Sequence, residues 1–496
     1  MVRRRFILRQ QWLTTGVVTL ACFSRAQAYD IVNRWGATQV NGGGLQRGDP
    51  VTLRWSIVPD GQAYSRSANS QLIQYLDDGW NIPPSQRTPS LTGRSWWGVM
   101  NTAYQQFGRV SGVSMVYVPE QNADGTDTGM EGDVRIGGEN IDGTPGGALA
   151  DNTFPNDGDM RIDTTRESDS RPTFWHTNEA ALRNLMIHET GHGVGLGHAQ
   201  NTGVTAVMEG GLRTDIWGLQ FDDVYALNRQ YGDPLERNGG NNSASTATPL
   251  GNVTLGGFVS VGRDAVDSVV EQFDDDWTGV DGSNDADWFR FTTAAPGFAN
   301  IKLTPIGPSY TSVQQGAFNA AAQSDLVLQV FTGAPTFNLL ETANKTGLGG
   351  TEAVGARYLS TAGDYLVRVR GTQDFNQFYQ LDVALNAAPL AGTSADLNLD
   401  GLTNAGDWGV FTEHSYTTFT GLGQLAAFQR GDLDFDGDND VADFRFFKSA
   451  YIDVNGAAAF ASLVGVPEPA AIFMVAVGTV ACGLGRRGKL RAFGRL

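Results

Sequence analysis

Cysteine is almost missing from this chain: there are 2 in 496 residues, Cys22 and Cys482, each inside a terminal stretch that reads as a processing signal. A mature chain without those ends has no disulfide, no thiolate metal ligand and no cysteine nucleophile. Histidine is nearly as scarce, with five in all, yet three of them fall between residues 188 and 198. Basic charge is scarce in the body of the chain. Ten of the 35 Lys and Arg residues lie in 1–28 and 470–496, where no acidic residue occurs, leaving 25 against 53 acidic side chains and a net charge of about −28. Such a surface repels nucleic acid and suits calcium and an extracellular setting; a merely soluble acidic surface explains the charge equally well. No nucleic-acid partner is expected. What the chain has in quantity is glycine, 63 residues, and a hydrophobic fraction of 41%, enough for several cores and many turns.

Against that scarcity stands His188-Glu189-Thr190-Gly191-His192-Gly193-Val194-Gly195-Leu196-Gly197-His198. His188 and His192 are four apart, so on a helix their imidazoles leave from one face. Glu189 lies within reach of a water held between those rings. Gly195 permits a backbone turn that a side chain resists, so the helix ends there and His198 swings back as a third nitrogen ligand. Three imidazoles with a fourth position left for water make a catalytic zinc set, with Glu189 as general base. The competing reading is an ordinary buried helix. Glycines at 191, 193 and 195 argue against it, since each costs roughly 1 kcal/mol against alanine in a helix made only to pack. His176 and His414 lie outside the pattern and read as ordinary surface residues.

Residues 1–28 read as a signal peptide: Arg3, Arg4, Arg5 and Arg9, an uncharged run, then Ala26-Gln27-Ala28 as the cleavage site. General secretion and the twin-arginine route both remain open. The segment 29–238 alternates strand and helix patterns. Strands are expected at 51–58, 113–118 and 133–136, with a short edge strand at 158–163. Helices are expected from Trp96 to Phe107, from an N-cap at Asn178, and over 222–231.

This segment resembles a matrixin-type metzincin peptidase. The likeness rests on Leu53-Arg54-Trp55-Ser56, Asp133-Val134-Arg135-Ile136-Gly137, Gly147-Ala148-Leu149-Ala150 through Phe154-Pro155, the full H-E-x-x-H-x-x-G-x-x-H pattern, and Tyr231-Gly232. Met208 matches the methionine that underlies the zinc in that clan, and Gly210 stands where the astacin and serralysin branches have tyrosine. The resemblance implies one Zn2+ on His188, His192 and His198. It also implies a loop calcium near Asp142 and Asp163, although Arg166 replaces one expected acid. Asp151 and Arg161 occupy positions where vertebrate matrixins carry structural-zinc histidines, so no second zinc is expected, and neither is that branch's propeptide-cysteine switch. Phe221, Asp222 and the loop 210–216 are expected to shape the specificity pocket.

Residues 233–246 read as a polar linker. Alternation beyond it predicts strands at 287–291, 301–303, 326–331, 365–369 and 379–383, which make 239–388 an all-β sandwich. With Asp287-Trp288-Phe289-Arg290-Phe291 and Gly363-Asp364-Tyr365 it resembles the prepeptidase C-terminal domain, expected either to bind substrate or surface or to act as a spacer packed on the peptidase. Residues 394–456 hold two loops thirty-six residues apart: Asp396, Asn398, Asp400, Asn404 and Asp407, then Asp432, Asp434, Asp436, Asp438, Asp440 and Asp443, with glycine at the sixth place of each. That spacing is an EF-hand-like Ca2+ loop, and the pair resembles a dockerin, which implies two calcium ions and a cohesin-like partner. Residues 466–496 carry Pro467-Glu468-Pro469, sixteen uncharged residues and five basic ones. They resemble a PEP-CTERM sorting tail with a transmembrane helix, read by an exosortase; a permanent anchor is the alternative.

The fold class expected is multidomain: an α/β (α+β) metzincin catalytic domain, an all-β sandwich and a small α-helical paired EF-hand-like module. The expected function is a secreted zinc endopeptidase acting on a protein or peptide substrate and held at the cell surface or in extracellular matrix. The alternatives are a calcium-dependent adhesion or scaffold protein with a vestigial peptidase, and a protease that processes only itself or one assembly partner.

Overall fold

β1 (Val51–Ile57) forms where apolar and polar residues alternate, burying Val51, Leu53 and Trp55 while Thr52 and Arg54 stay half-exposed. It lies in a computed structural model that describes residues 29–465 apart from 64–68, 121–130, 145–146, 169–170, 173–176, 203 and 313–315. The signal and sorting segments expected at 1–28 and 466–496 lie outside the described residues. The chain divides into two compact units, 1–389 and 390–496.

In the first unit, β1 pairs in parallel with β2 (Val113–Tyr117) and with β3 (Val134–Glu139). The sheet order is β2-β1-β3-β5-β4, with β4 (Ala150–Asn152) antiparallel to β5 (Met160–Asp163). Thus 158–163 is not the edge: β5 is interior and β4, which sequence pattern did not reveal, forms the rim. Ala150-Asp151-Asn152 has no apolar alternation to read. Its pairing is reinforced by side chains, since Asp151 and Arg161 are register partners and Arg161 Nε donates to Asp151 Oδ1 at 2.9 Å. α1 (Leu72–Gly79) packs near the sheet, and α2 (Ser95–Val110) buries Trp96, Met100, Ala103, Tyr104 and Phe107 against the same core as α3 (Glu179–Gly193). A short strand β6 (Asn201–Thr202) and α4 (Phe221–Tyr231) follow.

Two layers, antiparallel but for one edge strand, make the sandwich. One has the order β7 (Thr248–Val253), β9 (Ala286–Thr293), β16 (Gly363–Gly371), β13 (Leu326–Thr332), β14 (Leu339–Ala343), with β7 parallel to β9. The other runs β8 (Gly257–Val261), β17 (Gln377–Asn386), β10 (Gly297–Pro305), β15 (Glu352–Leu359). Between them lies a core of Phe289, Phe291, Leu328, Val330, Val367, Tyr379 and Val383. The hairpin β11 (Ser309–Ser312) and β12 (Gly316–Asn319) leaves these layers and joins β6 in a three-stranded sheet.

The sandwich does not hang from a linker. Ile306, Tyr310, Phe318, Trp277 and Phe378 belong to the same hydrophobic cluster as Trp55, Leu182 and Phe221. Residues 233–246, expected as a free polar connection, are anchored. Asp233 and Asn241 are fully buried and Glu236 nearly so, and Asp233 accepts from Leu235 N at 2.6 Å and Gly279 N at 2.8 Å. Their polarity serves buried hydrogen bonds rather than solvent.

The second unit contains α5 (Ala405–Glu413), α6 (Gln424–Phe428), α7 (Val441–Asn455) and α8 (Ala457–Leu463) around Phe411, Phe428, Phe447 and Phe460. Asn404 and Asp440 cap α5 and α7, each in a reciprocal capping box with Asp407 or Asp443. Among the described residues, no helix is long and apolar enough to cross a membrane.

Candidate active site

Helix α3 starts at the expected cap, where Asn178 Oδ1 accepts from Ala181 N at 3.0 Å. It then carries His188 and His192 one turn apart. The helix ends at Gly193, and the chain turns at Gly195, whose φ of 98° suits glycine and lets Leu196 N return to Gly191 O at 2.8 Å. That turn brings His198 back, so its Nε2 lies 3.2 Å from Nε2 of both His188 and His192.

The tautomers are fixed by the backbone. His188 Nδ1 donates to Val207 O at 2.7 Å and His192 Nδ1 to Leu196 O at 2.8 Å, leaving both Nε2 lone pairs directed at His198. Two unprotonated ring nitrogens thus face the third at donor distance, the arrangement a metal ion between them would use. Zn–N bonds of about 2.0–2.1 Å in a tetrahedron place the nitrogens about 3.3 Å apart, so the donor set fits zinc. Burial, opposed by the Val207 bond, pushes the His188 pKa down to about 4, and burial lowers that of His192 too. Neutral imidazoles are what a metal needs.

Glu189 is 6% exposed, and burial first, then the charge of Asp151, raises its pKa to about 8. A cation among the three histidines opposes that rise. Glu189 opens with His188, His192 and His198 into a cavity of about 560 Å³ also lined by Asp30, Val32, Asp151, Asn152 and Phe154. Phe154 stands edge-on to His192, centroids 5.6 Å apart. Strand β4 therefore borders the cavity.

Met208 is 1% exposed and supports this arrangement from below: a Cβ on Gly191 would lie 2.2 Å from its Sδ. Its loop is held by Asp223, which accepts from Val207 N at 2.7 Å, Met208 N at 3.2 Å and Gln220 N at 2.9 Å. Neither Asp223 nor the N-terminal pair Asp30 and Val32 was singled out from sequence; their only signal was position beside a motif. Phe221 and Asp222, expected to shape a specificity pocket, are 0% and 1% exposed and face the sandwich instead.

Other expected metal residues fall as follows. Asp142 accepts from Thr144 N and Ala148 N, and Asp163 Oδ1 from Ile141 N and Thr165 Oγ1, while Asp163 Oδ2 is buried without a hydrogen-bond partner. The two do not join a cluster of three acidic or histidine ligands among the described residues. Arg161 bridges Asp151 and Glu139, filling with a guanidinium the place discussed for a second zinc. In the second unit, Asp432, Asp434 and Asp443 converge, as do Asp436, Asp438 and Asp443, with ligand atoms within 4.8 Å. In the first loop Asp396 accepts from Asp400 N and Gly401 N, Asp407 from Leu397 N and Asn404 N, and Asn398 Nδ2 donates to Asp400. Burial raises Asp396 and Asp443 to about 6. A further cluster, Glu236, Asp285 and Asp287, was not anticipated.

A three-histidine helix-and-turn site with a buried glutamate, under an edge strand of a mostly parallel sheet, defines a metal-dependent hydrolase. Residues 79–232 match the model of the matrixin family of peptidases, and the three histidines and Glu189 lie inside that match. Among solved structures, the 1.0 Å crystal structure of the pre-peptidase C-terminal domain of a collagenase from Bacillus anthracis is similar at 8% identity and a TM-score of 0.17, over 28% of this chain and 96% of that one. No curated protein matches the chain.

Proposed function

We propose that the chain is a secreted zinc endopeptidase, held at the cell surface or in extracellular matrix by its C-terminal modules. The observation that carries the catalytic part is the convergence of the Nε2 atoms of His188 and His192 on that of His198, each at 3.2 Å, beside buried Glu189 in a cavity bordered by a strand rim. Zinc on His188, His192 and His198 supplies Lewis acidity toward water and the scissile carbonyl. Glu189 Oε accepts the proton of the attacking water and delivers it to the departing amine. β4, open on its outer edge, offers backbone groups along which an extended peptide lies as an added strand. Phe154 and Val32 exclude water from that peptide's side chains.

The carboxylate-rich loops of residues 394–456 support calcium binding and a dockerin-like docking role, with a cohesin-like protein as partner. The tail 466–496 supports exosortase handling, and residues 1–28 support export. The catalytic reading is tested on the full chain by metal analysis and casein or peptide-library digestion. Wild type is expected to hold one zinc and to cleave; a zinc chelator or Glu189→Ala is expected to lower the rate at least about a hundredfold. Cleavage that survives both sinks the reading.

A further inference from the structure

We propose that the β-sandwich is part of the zinc site, and that Tyr310 is a positioning residue acting on it through α4 and the Met208 loop. This rests on the reading of His188, His192 and His198 as zinc ligands.

The stretch from residue 202 to residue 220 carries Met208, and the sandwich grips it at both ends. On the early side, β6 lies three residues beyond His198 and pairs antiparallel with β11, Asn201 opposite Ser312 and Thr202 opposite Thr311. On the late side, Gln220 caps α4 and exchanges two amide hydrogen bonds with Val270: Gln220 Nε2 donates to Val270 O and Val270 N to Gln220 Oε1, both 3.2 Å. One residue into the helix, Tyr310 Oη donates to Asp222 Oδ1, with Tyr310 6% and Asp222 1% exposed. A hydrogen bond to a buried carboxylate is among the stronger kinds.

The grip continues along the helix. Tyr225 Oη donates to Asn376 O, and Arg229 Nη2 donates to Asp374 O at 2.7 Å. Phe221 packs 5.8 Å from Phe378 and Tyr225 5.4 Å from Phe318, ring centre to ring centre. Every residue of α4 is buried. Without the sandwich its aromatic outer face has no cover.

From α4 the chain of contacts reaches the ligands directly. Asp223, next to Asp222 in the first turn, holds the amides of Val207 and Met208. Val207 O fixes the tautomer of His188, and Met208 O accepts from Ala199 N at 2.9 Å, one residue past His198. Tyr310 therefore sets the first turn of α4, the first turn sets the loop, and the loop sets two of the three imidazoles.

The test compares full-length wild type, Tyr310→Phe and Val330→Ala, the last in the sandwich core away from this path. Hydrogen exchange of the segment 204–209 is followed in metal-free protein, and zinc release to a chelator in loaded protein. Tyr310→Phe keeps the ring and is expected to speed exchange in that segment at least about tenfold and zinc release at least about fivefold, with β1 exchange unchanged. Val330→Ala is expected to lower the unfolding midpoint and to alter neither. Asp222→Asn, which weakens the same bond without deleting it, is expected to fall between. Exchange within twofold of wild type in Tyr310→Phe, or equal changes in Val330→Ala, overturns the proposal. A wild type that takes up no zinc sinks the zinc reading instead, and the exchange measurement then decides this one alone.

Discussion

Gly195→Ala should do more damage than any other single methyl group in the active-site motif. The residue sits at φ 98°, where a Cβ meets its own carbonyl, at a cost of roughly 1–2 kcal/mol. The added Cβ would also lie 1.9 Å from Asn33 O. An ordinary C···O contact is about 3.3 Å, so the gap must open by about 1.4 Å. The obstacle is backbone, and it is tied down: Val32 N donates to Gly195 O and Gly197 N to Asp30 O, both at 2.9 Å. Overpacking of that kind adds roughly 1–3 kcal/mol. The total, about 2–5 kcal/mol, corresponds to a fall in Tm of roughly 4–10 °C at about 2 °C per kcal/mol. Relief can only come by moving the turn that returns His198. Zinc content after dialysis against metal-free buffer should therefore drop along with Tm, and peptide cleavage with it. A Gly195→Ala protein with one zinc and a midpoint within about 2 °C of wild type would falsify this account of the turn.

The pH dependence of stability should be set largely by the buried carboxyls of Asp233, Glu236, Asp285 and Asp287, whose pKa values burial and mutual repulsion raise. The folded state then keeps protons that the unfolded chain loses near pH 4, so this contribution is full below about pH 4 and declines as pH rises toward the folded values. Melts of the full chain should show the midpoint falling from acid toward neutral pH, and Glu236→Gln should flatten that fall; an unchanged slope in the variant refutes the assignment. Calorimetric titration of the full chain with calcium should find two ions in the loops of the second unit, with Asp432→Ala losing one of them. Equal stoichiometry in both proteins would show that Asp432 is not a ligand.

Local chemistry was legible in the chain; long-range packing was not. His188, His192 and His198 could be placed because one helix and one turn determine their geometry. The cap at Asn178 and the glycine stop at 195 both sit where the residue types demand. The strands at 287–291, 326–331, 365–369 and 379–383 were visible from alternation and lie inside longer observed strands. By contrast, Tyr310 and Phe318 look like any inward residues of a hairpin, and nothing local says that they enter another layer's core. Asp233, Glu236 and Asn241 look like solvent-loving linker residues because their burial is created by strands tens of residues later. The rim strand β4 was hidden for the opposite reason: it is held by an ion pair and register rather than by an apolar face.

The shared core of α4 and the sandwich also bears on when this enzyme comes into being. During synthesis the motif around His188 emerges early, but the helix that steadies its loop is not covered until residues as far as Asn376 have left the ribosome. Because contacts so distant in sequence form late, a nascent or truncated chain carries the histidines without the socket that orders them. On the proposed zinc-peptidase reading, an unfinished copy is expected to cleave its neighbours poorly.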